Sequence, residues 1–164
     1  QGRIVQQETI DMPLFLAATE ADSVINLDYL VTQFRERFTN PGNAMVIFRD
    51  TRKSWPDALA DERIRFLNSY LPDANILEFS HQSLLIAPDN ELYGLGAPLQ
   101  RCLEPNNISL DECRQLPEQE LWFSAWHDTE RPVFTSRLTY NPWFNDLASA
   151  IGTFIQAHQS DKGP

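Results

Sequence analysis

Two residues with the chemistry of an acid–base pair, Asp22 and His81, lie far apart in this chain of 164 residues. Asp22 follows the apolar run Pro13-Leu14-Phe15-Leu16-Ala17-Ala18. That run is too short for a helix and is bounded by proline and polar residues, so it predicts a buried strand ending in the acid-bearing turn Thr19 to Ser23. An acid just past the carboxyl end of a buried strand is where open α/β sheets place their chemistry. There it would accept the proton of one imidazole nitrogen and stabilise the imidazolium. An acid close to a helix start is also favourable on electrostatic grounds alone, and Glu20 competes from two residues earlier. His81 has Phe79, Leu84, Leu85 and Ile86 around it, where a hydrogen-bonded structural histidine is the ordinary alternative to a base. His127, beside Trp126 and Asp128, and His158, on the last helix, have weaker claims. Ser80 is no nucleophile for its neighbour, because adjacent residues on an extended chain point to opposite sides.

The elements that must position these side chains can be read from periodicity. Asn26 can cap a helix from Leu27 to Phe38, in which Leu27, Leu30, Val31, Phe34 and Phe38 form one apolar face. Asn40-Pro41-Gly42-Asn43 stops it. Ala44-Met45-Val46-Ile47-Phe48 is a second buried strand. Strand, helix and strand in that order form a crossover that makes the strands parallel, so the fold class is α/β. After a loop or short helical turn at Ser54 to Asp57, Arg63 to Leu67 alternates like a half-buried strand. Asn75 to Phe79 reads as a strand delivering Ser80-His81. Residues 87–118, rich in Pro, Gly and Asn, predict a long ordered loop of the kind that covers a site. Phe134 to Thr139 reads as a strand or extended arm, and Asn141-Pro142 as the cap of a final helix with Phe144, Leu147, Ile151, Phe154 and Ile155 on one face. Gly152 in that helix suggests close packing on a neighbour.

Composition sets limits. Hydrophobic residues at 42% and charged residues at 22% are ordinary for a globular domain, and no linker divides residues 1–164, so a single α/β domain is expected. A net charge of -10, without a Lys/Arg cluster, argues against nucleic-acid binding through phosphate neutralisation. No apolar run approaches the ~18 residues of a membrane span. Gln1-Gly2-Arg3 lacks an initiator Met and a signal-peptide pattern, and reads as a processed or cut start. Cys102 and Cys113 form either a disulfide or two free thiols. The bridge is preferred because little else would hold the loop, and with it a periplasmic or secreted location over a cytoplasmic one. The cysteines have no nearby histidine and give no zinc pattern, and neither a metal nor an organic cofactor is expected. Most of the four Trp and ten Phe are expected in the core, and some could line an acyl pocket.

The chain order of strand, acid, helix, strand and histidine matches the second half of the order Ser, Asp, His in α/β-hydrolases. The segments MPLFLAATEADSVI, ILEFSHQSLLIAPDNELYG and SRLTYNPWFNDL resemble the C-terminal portion of bacterial serine hydrolases of the α/β-hydrolase fold, of esterase or lysophospholipase-like type. The resemblance covers most of residues 10 to 156. Its more specific motif is S-H-x-x-L-x-x-x-P-D-N-x-x-Y-G. It implies a sheet of mostly parallel strands with flanking helices, Asp22 as the triad acid and His81 as the base. None of the six glycines builds the family's G-x-S-x-G nucleophile elbow. The implied partner is therefore an N-terminal hydrolase segment carrying the serine, or else a second copy of this chain, and the implied substrate is a small-molecule ester or acyl lipid. The competing expectations are a non-catalytic α/β module that binds a ligand or partner, and a periplasmic or secreted structural domain whose Cys102–Cys113 loop is the binding surface.

Overall fold

The computed structural model describes residues 8–105, 108–125 and 133–159. The apolar run forms strand β1 at Phe15–Thr19. Helix α1, Leu27–Arg37, leads from it to strand β2, Ala44–Arg49. Asn26 caps α1 as expected, its Oδ1 accepting from the Tyr29 N–H at 2.9 Å. Strand β3, Ile64–Asn68, follows a short helical turn at Asp57–Leu59. The three strands run parallel in the order β1-β2-β3, with Phe15 opposite Ala44 and Met45 opposite Ile64. The described elements are those of an α/β protein.

The period-2 alternation of parallel strands sends side chains into two cores. Val31 and Phe34 of α1 pack with Ala18, Met45 and Ile47 on one face of the sheet. On the other face Val46, Phe48 and Leu67 meet Ile76, Phe79, Leu84, Leu138, Tyr140 and Leu147. Because β2 is central and covered on both faces, Met45 to Arg49 are all buried, the pattern that produced its continuous apolar run. The last of these, Arg49, lies over the rings of Trp55 and Phe66 and donates to the carbonyls of Lys53 and Ser54.

Three expectations need correction. Asn75 to Phe79 is not a strand. Asn75 adopts a left-handed backbone with φ 55°, which breaks the extended run, and only Ile76 bridges, antiparallel to Leu71 and parallel to Phe123. The loop at 87–118 contains helix α2, Leu110–Gln115, closed by a capping box between Ser109 and Glu112. Finally, in helix α3, Phe144–Gln159, Leu147 is buried but Ile155 is 47% exposed. A Cβ at Gly152 would meet nothing within 4 Å, so that glycine serves no close approach. One element was not anticipated: strand β4, Leu121–Ser124, pairs in parallel with β5, Phe134–Arg137.

The preferred disulfide is present between Cys102 and Cys113, with the two cysteines at most 3% exposed beside Leu121. It ties down the loop that follows His81. The same loop is held to β5 and its exit by the Leu103 carbonyl, which accepts from Ser136 Oγ at 3.0 Å and the Arg137 N–H at 2.9 Å.

Two stability measurements follow from this packing. Gly152→Ala should raise the unfolding free energy by about 0.5–1 kcal/mol, because the site is open and mid-helix; a loss in urea melts would show a hidden contact. Removal of the bridge by Cys102→Ser with Cys113→Ser should lower stability by about 3 kcal/mol in the chain-entropy view, and an unchanged midpoint would show that the loop is held without it.

Candidate functional site

The site begins where β1 ends. The Glu20 N–H still donates to the Phe48 carbonyl at 2.8 Å, extending the strand pairing by one residue, and the chain then turns. Asp22 makes that turn with its own side chain. Its Oδ1 accepts from the Val24 and Ile25 N–H groups at 2.8 and 3.3 Å, an Asx turn that fixes the carboxylate in one orientation. The other oxygen, Oδ2, lies 2.6 Å from Nδ1 of His81, 59 residues later. The Asp22 side chain is 2% exposed and that of His81 is 40% exposed.

This geometry assigns the proton. A carboxylate only accepts, so Nδ1 of His81 donates, and in the neutral ring Nε2 is left as the basic nitrogen. The acid is shielded and the base has an open side. A short charge-assisted bond of this kind orients the ring. An imidazole held in this way can accept a proton at Nε2 from a hydroxyl or thiol presented to it.

His81 reaches this position from a turn rather than a strand. Phe79, fully buried, packs on Phe48 with ring centroids 5.3 Å apart, anchoring the approach to the sheet. His81–Ser83 then forms a single helical turn. Ser80 is 7% exposed and its Oγ is buried without a hydrogen-bond partner among the described residues, so it faces inward while His81 faces out.

The competing residues are committed elsewhere. Glu20 lies 3.6 Å from Arg49 Nε and accepts from the Asp50 N–H at 3.3 Å. His158 donates from Nδ1 to the Phe154 carbonyl at 2.8 Å and stacks on the Phe154 ring at 4.3 Å. It borders a groove of about 710 Å³ between α3 and the amino ends of the strands, lined also by Phe15, Ala44 and Arg65. Asp22 lies past the other end of the strands. His127, with Trp126 and Asp128, falls outside the described residues. Among the described residues no group of three or more His, Cys, Asp or Glu could hold a metal ion, and no helix is long and apolar enough to cross a membrane.

The neighbouring strand end carries its own ion pair. Asp50, just past β2, is bonded by Arg52 through Nε at 2.8 Å and Nη2 at 2.7 Å, while Arg52 lies over the Tyr70 ring at 3.4 Å. The hydrogen bonds from Arg52 outweigh burial and hold the Asp50 carboxyl at about 2, below its ordinary 3.8. A carboxyl lowered on folding stabilises the fold above its unfolded pKa, and that contribution is lost as pH falls through the folded value. Stability should thus decline between pH 3.8 and about 2. Arg52→Gln should flatten that part of the profile in urea midpoints; an unchanged acid slope would dissociate Asp50 from it.

Comparison with known proteins finds no matching family model, no matching curated protein and no matching solved structure.

Proposed function

We propose that Asp22 and His81 are the acid and base of a Ser-His-Asp triad, and that this chain is the C-terminal part of a serine carboxylic-ester hydrolase of the α/β-hydrolase fold. The observation that carries the reading is the 2.6 Å bond between a shielded carboxylate and an open imidazole. Its place supports the reading too: the acid stands at the carboxyl end of a parallel strand, the position open α/β sheets use for ligands. The order of acid before histidine is that of the hydrolase triad.

In this reading the serine belongs to a polypeptide segment outside the 164 residues. Nε2 of His81 takes the hydroxyl proton as the serine attacks the ester carbonyl. The imidazolium, held by Asp22, then protonates the departing alcohol and leaves an acyl-enzyme. Water, deprotonated by the same nitrogen, releases the acid. The missing segment also supplies the oxyanion hole, which in the family comes from the backbone next to the nucleophile and from an earlier loop. Among the described residues β1 is an edge of the sheet, with one side open to pairing. A parallel strand ending in the nucleophile, laid beside β1, would bring the serine to the strand end where Asp22 and His81 meet. The substrates are small carboxylic esters or acyl lipids.

The test is made on two samples. The purified chain should neither turn over p-nitrophenyl esters nor be labelled by a fluorophosphonate. In material from the native source the label should fall on a serine outside these residues, on a polypeptide joined to or bound by this chain. His81→Ala should lower that labelling at least ~10³-fold. Steady turnover by the purified chain that disappears in His81→Ala would refute the divided triad, and labelling indifferent to His81→Ala would refute its role as base.

A further inference from the structure

We propose that Asn141 is the positioning residue for His81, locking the histidine turn to the sheet that carries Asp22. The functional meaning of this inference rests on the hydrolase reading above; the geometry behind it does not. His81 lies outside the three-stranded sheet, so strand pairing cannot set its distance from Asp22.

Asn141 is fully buried and uses both ends of its amide. Its Nδ2 donates to the Leu84 carbonyl at 3.1 Å, across 57 positions of sequence. Its Oδ1 accepts from the Trp143 N–H at 2.9 Å, and its own N–H donates to the Ile86 carbonyl at 2.8 Å. Leu84 is the residue that closes the histidine turn, its N–H donating to the His81 carbonyl at 3.1 Å. On the other side Trp143 Nε1 donates to the carbonyl of Asn68, the last residue of β3, at 2.7 Å. A second buried tie runs in parallel: Ser83 Oγ, on a residue with no exposure, donates to the Leu138 carbonyl at 2.5 Å.

These bonds form a ring. From β3 it passes through Trp143, Asn141, Leu84 and His81 to Asp22, which follows β1, and the sheet closes it. A residue that only started the last helix would need the Oδ1 bond to Trp143 and nothing more. The Nδ2 bond to Leu84 has no such purpose, and it uses the amide's donor on a separate atom from the acceptor that holds Trp143. Aspartate at this position would keep the acceptor and present a carboxylate to the Leu84 carbonyl.

The test reads the Asp22–His81 bond itself, in the full chain labelled with ¹⁵N-histidine. A short Nδ1–H···carboxylate bond gives a strongly deshielded, slowly exchanging proton, which is assigned by its disappearance in His81→Ala. Asn141→Asp should abolish or broaden that resonance while the far-UV spectrum and the β1–β3 amide shifts remain those of the wild type. Persistence of the wild-type resonance in folded Asn141→Asp would overturn the inference. Should Asn141→Asp not fold, Trp143→Phe decides in its place, since it deletes the Nε1 bond to Asn68 and leaves the Asn141 side chain present. Broadening there supports the ring, and an unchanged resonance overturns it. A wild-type chain without the resonance would instead remove the Asp22–His81 pair, and the hydrolase reading along with this one.

Discussion

The structure depends on β2 being hydrogen-bonded on both sides and buried on both faces. Parallel pairing to β1 and β3 occupies its backbone groups, and two separate apolar clusters cover its alternate side chains. A strand in that position cannot slip by one residue without exchanging Met45 and Ile47 for Val46 and Phe48 between cores of different shape. Its register therefore sets those of β1 and β3, and through them the heights at which the chain leaves the sheet. Asp22 is placed by the first of those exits. Asn43, 3% exposed, strengthens the arrangement from the opposite end. Its Oδ1 accepts from the Leu14 N–H at 2.8 Å and its Nδ2 donates to the Phe38 carbonyl at 3.1 Å, joining the start of β1 to the end of α1.

What the sheet cannot place, side chains must. The histidine segment is irregular, and ordering each residue of it costs roughly 1–2 kcal/mol of backbone entropy. Strand pairing would offset that cost continuously; a turn has to offset it at points. The points are visible: Phe79 against Phe48, Ser83 on Leu138, Asn141 on Leu84 and Ile86. Each is buried, where a polar group left without its partner costs more than the bond itself contributes in net terms. This asymmetry makes a few buried hydrogen bonds sufficient to define one position for His81.

The fold was legible wherever a residue's surroundings are local or periodic. Helix α1 and its Asn26 cap follow from a helical repeat and an end signal. β1 and β2 follow from short apolar runs, and β2's run is continuous because both its faces are covered. Asp22 and His81 were legible as chemical types in a suggestive order, although nothing in the sequence itself sets them 2.6 Å apart. Asn75 to Phe79 misled because its composition is that of a strand, while the left-handed Asn75 and the absence of a continuous neighbour leave one bridging residue. β4 was missed because Leu121 to Ser124 is short and its partner β5 begins ten residues after it ends. The capping box of α2 was readable at Ser109 and Glu112 and was hidden only by the Pro and Asn around it. The second role of Asn141 had no sequence signal. A residue beside a proline at a helix start already has a sufficient explanation, and its bond to Leu84 spans 57 positions.

The same reasoning explains how the work of stabilisation is divided along the chain. Through β3 the described chain is held by strand pairing and helix packing, with exposed apolar side chains at Met12 before β1, Val24 and Ile25 in the acid turn and Tyr29 on the helix surface. Beyond His81 the loop has Leu85, Leu92, Leu95 and Leu99 exposed, so apolar burial contributes less to its order. Covalent and polar ties take over: the Cys102–Cys113 bridge, the Leu103 carbonyl on Ser136 and Arg137, and Thr139 Oγ1 on the Tyr93 carbonyl at 2.5 Å. His81 stands at the boundary between these two regimes. Its acid partner belongs to the strand-built half and its turn is fastened to the tie-built half, so the distance between them reports on both. The hydrogen bond between Asp22 and His81 thus stands where the two kinds of order must agree.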